Sequence, residues 1–204
     1  MSKIQTNQIQ HTANGAAVYT LPQTDGSAGQ VLQTNGSGVL SWVTLPSSGL
    51  SVAQQFRQTA TTATSNSTNY FTSNWEKADG TAQDGYGSFA DPSSGIFTFP
   101  TPGFYYITFT SYFEDTGYNT NAYIQIQATT DNSSYSTISS THFGTTYDQS
   151  GYNYQSGFVN AILDVTDVTQ VKVKFRAFSN STVSWDGSDT QNRTAATFLR
   201  IGDT

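Results

Sequence analysis

Gly95-Ile-Phe-Thr-Phe-Pro-Thr-Pro-Gly-Phe-Tyr105 sets its glycines, prolines and aromatics at fixed offsets. Pro100 has no N–H to donate and Gly103 tolerates backbone angles closed to other residues, so the segment reads as a corner between two strands. Phe97 on one side of the corner and Tyr105 on the other then point into the same sandwich. Outward from this corner, short alternating runs and turn residues continue from Leu50 to the C-terminus without an amphipathic helical period. The strands expected are Val52–Thr59, Ile96–Phe99, Phe104–Phe113, Ala122–Thr129, Tyr135–His142, Tyr154–Leu163, Gln170–Ala177 and Thr194–Ile201. That number suits a jelly roll of two sheets.

Within these strands a period of two separates the faces. Tyr105, Ile107, Phe109 and Phe113 share one side of the third strand, Ala122, Ile124, Ile126 and Ala128 one side of the fourth, and Val171, Val173 and Phe175 one side of the seventh. These are the expected core. The other side of the third strand carries Phe104, Tyr106 and Tyr112, too apolar a row for open water, and a lateral subunit contact is the use expected for it.

Gly95, Phe97, Pro100, Gly103 and Tyr105 match without a gap the pattern G-x-F-x-x-P-x-x-G-x-Y, which resembles the B-to-C strand corner of the jelly roll shared by tumour necrosis factor and the globular head of the first complement component. Ser156–Leu163 resembles the sixth strand of that family. Val165–Val173 resembles the following turn and seventh strand, with Thr166-Asp167 replacing the family's Gly-Asp, and Thr197–Asp203 fits a terminal strand of this class. The resemblance implies an all-β jelly-roll head of about eight to ten strands that acts as a homotrimeric binding module.

Residues 1–48 differ in kind from this head, which is expected to span 49–204. Gln23–Leu32 and Gln33–Leu40 are imperfect copies, each joining an Asp-Gly or Asn-Gly turn to a Val-Leu pair. Such a β-ribbon arm cannot enclose a core, so Val31, Leu32, Val39, Leu40 and Trp42 are expected to be buried against other chains. Leu21 to Trp42 resembles a segment of bacteriophage fibre and other virion proteins, notably those of cyanobacterial phages. That implies attachment to other virion proteins, with Leu45–Gly49 as a hinge into the head.

Composition narrows the function. The net charge is −6 and the 8 Lys and Arg are scattered singly, which leaves no basic patch for nucleic acid. With no cysteine there is no disulfide, thiolate nucleophile or Cys-ligated metal. No apolar run long enough to span a membrane and no apolar N-terminal leader segment is expected. Charged residues are only 11% of the chain, a polar yet weakly charged surface of the kind found on extracellular fibres and virions.

Catalytic groups are sparse. His11 and His142 are the histidines, and no nucleophile-elbow serine accompanies them. Glu114/Asp115 and Asp164/Asp167 read as turn residues, not as the carboxylate pair of a glycosidase. Asp186 and Asp189 place two hard oxygens across a turn; calcium needs about six to eight, which only a threefold assembly would complete. The loops Asp115–Thr120, Gly144–Tyr152 and Ser179–Arg193 are expected at the head's far tip. There Asp115, Tyr118, Tyr147, Asp148, Trp185, Asp186 and Asp189 form an aromatic and acidic set suited to a host-surface glycan. The reading is a non-enzymatic, trimeric fibre-type virion protein without cofactor, attached by its arm. Competing readings are a decoration or cement protein without receptor role, and a secreted complement- or cytokine-like ligand.

Overall fold

The structure is a computed structural model that describes residues 6–10, 18–44, 50–80, 82–115, 120–144 and 153–204. It divides into two compact units, Met1–Ser48 and Gly49–Thr204. The expected hinge lies outside the described residues.

Among its described residues the first unit holds two antiparallel strand pairs: β1 (Gln8–Gln10) with β2 (Val18–Thr20), and the hairpin of β3 (Gln30–Thr34) with β4 (Leu40–Thr44). That hairpin turns at Asn35–Gly38, where Gly36 and Gly38 have φ of 80° and 84° and the Asn35 Oδ1 accepts the N–H groups of Ser37 and Val39. No described side chain in this unit is fully buried. Val31, Leu32 and Val39 stay exposed; Leu40 and Trp42 are half-buried, and the Trp42 indole N–H donates to the Thr24 carbonyl at 2.8 Å. A ribbon of this kind gains too little apolar burial to offset its ordering entropy by itself.

The second unit is an antiparallel sandwich. Its strands are β5 (Ala53–Gln58), β6 (Thr62–Tyr70), β7 (Trp75–Lys77), β8 (Phe97–Thr98), β9 (Gly103–Asp115), β10 (Asn121–Thr129), β11 (Ser136–Gly144), β12 (Asn153–Val165), β13 (Lys172–Trp185) and β14 (Ala195–Gly202). One layer runs β7-β5-β14-β9-β12. The other runs β11-β10-β13, with β6 and β8 on the far edge of β13. The layers join where Val183–Trp185 pairs with Phe113–Asp115.

The alternation that marks the core in the sequence holds. Tyr105, Ile107, Phe109, Phe113, Ala122, Ile124, Ile126 and Val173 are fully shielded, and Ala128, Val171 and Phe175 are buried beside them. Phe109 and Phe175 stack across the layers at 4.5 Å, and Phe56, Phe97 and Phe198 pack around them edge-on or tilted. A filled interior of this sort makes each large aromatic worth roughly 3–5 kcal/mol against alanine.

The corner behaves as its residues require. Gly103 has φ of 144°, and a Cβ there would lie 2.5 Å from the Gly202 carbonyl oxygen; at Gly95, with φ of 74°, a Cβ would lie 2.2 Å from the Phe71 carbonyl oxygen. Phe97 and Tyr105 are both fully buried, and the Tyr105 hydroxyl donates back to the Thr101 carbonyl at 2.9 Å. The chain thus reverses tightly, and the buried Tyr105 hydroxyl finds its partner within the turn.

Two expectations give way. The stretch Thr62–Lys77 contributes β6 and β7, which its Ser, Thr and Asn content hides. The expected loop Ser179–Arg193 is in large part strand: β13 continues to Trp185 through an irregularity at Ser179/Thr182 that lets polar residues sit inside a strand.

Candidate functional site

The outward side of the β12-β9-β14-β5 layer carries an apolar band and a mixed band with a polar band between them. Ile162, Tyr106, Leu199 and Ala53 align across the four strands, as do Phe158, Thr110, Ala195 and Arg57, with Asn160, Thr108, Thr197 and Gln55 in the middle. Alternation forces this: with Tyr105, Ile107 and Phe109 committed to the core, their neighbours must face out. Ile162 is 66% exposed, Phe158 51% and Phe104 36%, while Tyr154 stacks on Tyr112 with ring planes 10° apart. Phe104, Tyr106 and Tyr112 therefore lie on the outward side, as their positions in the sequence require. Phe158 and Ile162 were missed by sequence reasoning; their alternation with Val159 and Ala161 in β12 carries the signal.

A cleft of about 530 Å³ opens at one end of this face, between Thr110–Tyr112, Ser156–Phe158 and Asn192–Arg193. Gly157 makes its floor, since a Cβ there would lie 2.3 Å from the Phe143 ring. Asp186 stands behind Arg193: its Oδ2 accepts from Arg193 Nη1 at 2.7 Å, its Oδ1 from Thr61 Oγ1 at 3.1 Å, and its backbone N–H donates to the Tyr112 carbonyl. Burial, then the charges of Tyr154 and Asp186, hold the Tyr112 phenol above its ordinary range. The structure thus brings Tyr112 and Asp186, expected in separate interface and tip sites, to one place.

Several expected site residues lie elsewhere. Trp185 is only 1% exposed; its ring packs on Phe113 at 5.2 Å and its N–H donates to Thr64 Oγ1 at 2.8 Å, so it is core and cannot stack on a ligand. Asp115 ends β9 fully buried, opposite Val183 in the seam between layers, and does not face solvent. Glu114 and Asp115 are accordingly strand residues, not turn residues. Tyr118, Tyr147 and Asp148 fall outside the described residues, as does His11. Asp189 is exposed and His142 lies exposed on β11. Because both Asp186 oxygens are taken, Asp186 and Asp189 do not present a calcium shell, and among the described residues no group of three or more His, Asp or Glu is placed to hold a metal ion. No helix among the described residues is long and apolar enough to cross a membrane.

The class of this fold is shown by its likeness to solved structures. Eiger, a tumour necrosis factor of S. frugiperda, superposes with a TM-score of 0.57 at 13% identity over 75% of this chain and 94% of that one. Murine APRIL gives TM-scores of 0.46 and 0.47 at 11% identity in structures at pH 8.5 and 5.0, each covering 73% of this chain and 98% of that one. The head therefore has a tumour necrosis factor-like jelly-roll fold. No protein-family model matches the sequence, and no curated protein sequence does so either.

Proposed function

We propose that the chain is a trimeric adhesive protein of a virion, whose N-terminal ribbon attaches to the particle and whose jelly-roll head faces outward. The observation that carries the oligomeric part is the apolar surface: Phe104, Tyr106, Phe158, Ile162 and Leu199 all lie on the outward side of one sheet, and a second and third copy would remove them from water. Closed symmetry would also cover the β12 edge. The fold class supports the same number of copies.

The attachment part rests on the contrast in burial. Residues 1–48 hold Val31, Leu32, Val39, Leu40 and Trp42 on short hairpins with no interior, so surfaces of other chains would supply the missing burial. Three arms joined by one head would bind far more tightly than one arm, through raised effective concentration. The Leu21–Trp42 resemblance to phage fibre segments supports a virion as the surface in question.

The test is a truncation. Residues 49–204 should remain folded and oligomeric by sedimentation but fail to join particles, scored by labelling intact virions with an antibody against the head. Wild-type occupancy by the truncated protein would move attachment to the head, and a monomeric head at micromolar concentration would overturn the oligomer.

A further inference from the structure

The cations of this acidic chain are sorted in a way their spacing in the sequence conceals. Arg57 pairs with Glu76 and Asp79, Lys77 with Asp91, Arg193 with Asp186 and Arg200 with Asp203. Lys172, Lys174 and Arg176 have no carboxylate partner among the described residues. They occupy alternate positions of β13, whose intervening Val173, Phe175 and Ala177 are buried, so all three project from the same outward face at steps of roughly 6–7 Å. What reads as singly scattered charge is a ladder.

Aromatic rings frame the ladder. Lys174 Nζ lies 4.1 Å from the Tyr135 ring centre and 4.5 Å from that of Tyr70, and Arg176 donates to the Tyr123 hydroxyl at 2.6 Å while lying 5.4 Å from the Tyr123 ring centre. Tyr123 in turn stacks on Phe178 at 4.9 Å and borders His142. Opposite Arg176 and Lys174 stand Gln125 and Gln127, and beyond them Ser140 and Thr137. No Asp or Glu occupies any of these outward positions in a chain that has 14 of them. Burial, then the neighbouring Arg176 charge, holds the Lys174 ammonium below its ordinary range. Beside it a cleft of about 170 Å³ runs between Tyr70 and Ser94–Ile96, room for a single anionic group.

Like charges held together without counter-ions cost free energy that an anion would remove. Cation–π contacts fix their positions without neutralising them. We infer that the outward face of β13 binds an acidic polysaccharide, its carboxylate or sulfate groups lying along Lys172, Lys174 and Arg176 and its hydroxyls meeting Gln125 and Gln127. The amide and hydroxyl groups between the cations are what a hydroxyl-rich ligand needs. A nucleic acid, charged every few ångströms, would run off this short ladder onto a protein of net charge −6. The site is separate from the apolar face and does not depend on the role proposed above.

The experiment titrates the full chain with polygalacturonate, dextran sulfate, neutral dextran and an oligothymidylate, followed by calorimetry. One or both acidic polysaccharides should bind, with affinity falling as salt rises, and whichever binds identifies the anion as carboxylate or sulfate. Neutral dextran should not bind. Lys172→Gln with Lys174→Gln should weaken binding by about tenfold or more, with the melting temperature and sedimentation unchanged. Because Arg176 is hydrogen-bonded into the sheet, it is left intact in this variant. The inference is overturned if neither acidic polysaccharide binds, if neutral dextran binds equally, if the double variant binds as wild type, or if the oligothymidylate binds at least as tightly.

Discussion

The two outward faces of the head share one core and differ in everything else. On the β9–β12 face, Phe158 and Ile162 are exposed, Tyr106 is half-buried, and the cations Arg57 and Arg193 are each matched by carboxylates; on the β13 face, Lys172, Lys174 and Arg176 stand among tyrosines with no carboxylate partner among the described residues. An apolar face is stabilised by a copy of itself or another chain, whereas an unmatched cationic face is stabilised by a ligand that brings negative charge. The lesson is that a jelly roll sets the inward alternation and leaves each outward register free to specify a different partner.

The largest expected effect breaks both faces at once. Trp185 closes the seam where the layers meet, so Trp185→Ala should cost about 3–5 kcal/mol in urea unfolding, the loss of its hydrogen bond to the Thr64 hydroxyl included. An unchanged unfolding midpoint would return Trp185 to a surface loop and dissolve the shared core.

Next come charges set into one face alone. Phe158→Glu with Ile162→Glu should drive an oligomer toward monomer, shifting its dissociation constant by about a hundredfold or more through repulsion and lost apolar burial. Both side chains are already more than half exposed, so monomer folding should hold, as circular dichroism would check. Loss of polysaccharide binding in that variant would show that the faces are coupled instead of independent.

The corner around Pro100 and Gly103, the alternation of β9, β10 and the first half of β13, and the coreless ribbon were all legible, because each is set by neighbours in sequence. Trp185 and Asp115 were misread because what makes them strand is distant in sequence: Ser179–Thr182 has turn-like composition and is held in strand by β6, and Val183–Trp185 beyond it pairs with Phe113–Asp115. β6 was hidden likewise, since Thr62–Tyr70 offers no apolar alternation and forms against β13. Lys172, Lys174 and Arg176 were visible as letters, but their lack of a carboxylate partner among the described residues is a long-range fact that depends on where Asp and Glu end up.

The smallest expected effect asks why that isolation persists with acidic residues close in sequence. Asp131 follows the strand position that pairs with Lys172, and Asp167 precedes it by a short turn, yet both carboxylates serve the backbone. Asp131 accepts the Ser134 N–H at 2.7 Å, the Thr129 hydroxyl at 2.7 Å and the Ser133 N–H at 2.9 Å; Asp167 accepts the Thr169 hydroxyl and N–H, each at 2.7 Å. These bonds favour the ionised forms and hold both carboxyls below their ordinary range, with the Ser134 N–H the largest cause at Asp131 and the Thr169 hydroxyl at Asp167. A carboxyl whose folded value lies below its unfolded value of about 4 binds fewer protons when folded, so its contribution is complete above that pH and is lost as pH falls below it. Asp131→Asn with Asp167→Asn should therefore flatten the acid limb of the stability curve below about pH 4 while leaving polysaccharide affinity at neutral pH unchanged. A rise in that affinity would mean that the two carboxylates shield Lys172 in solution, and that the cationic face is less bare than its geometry indicates.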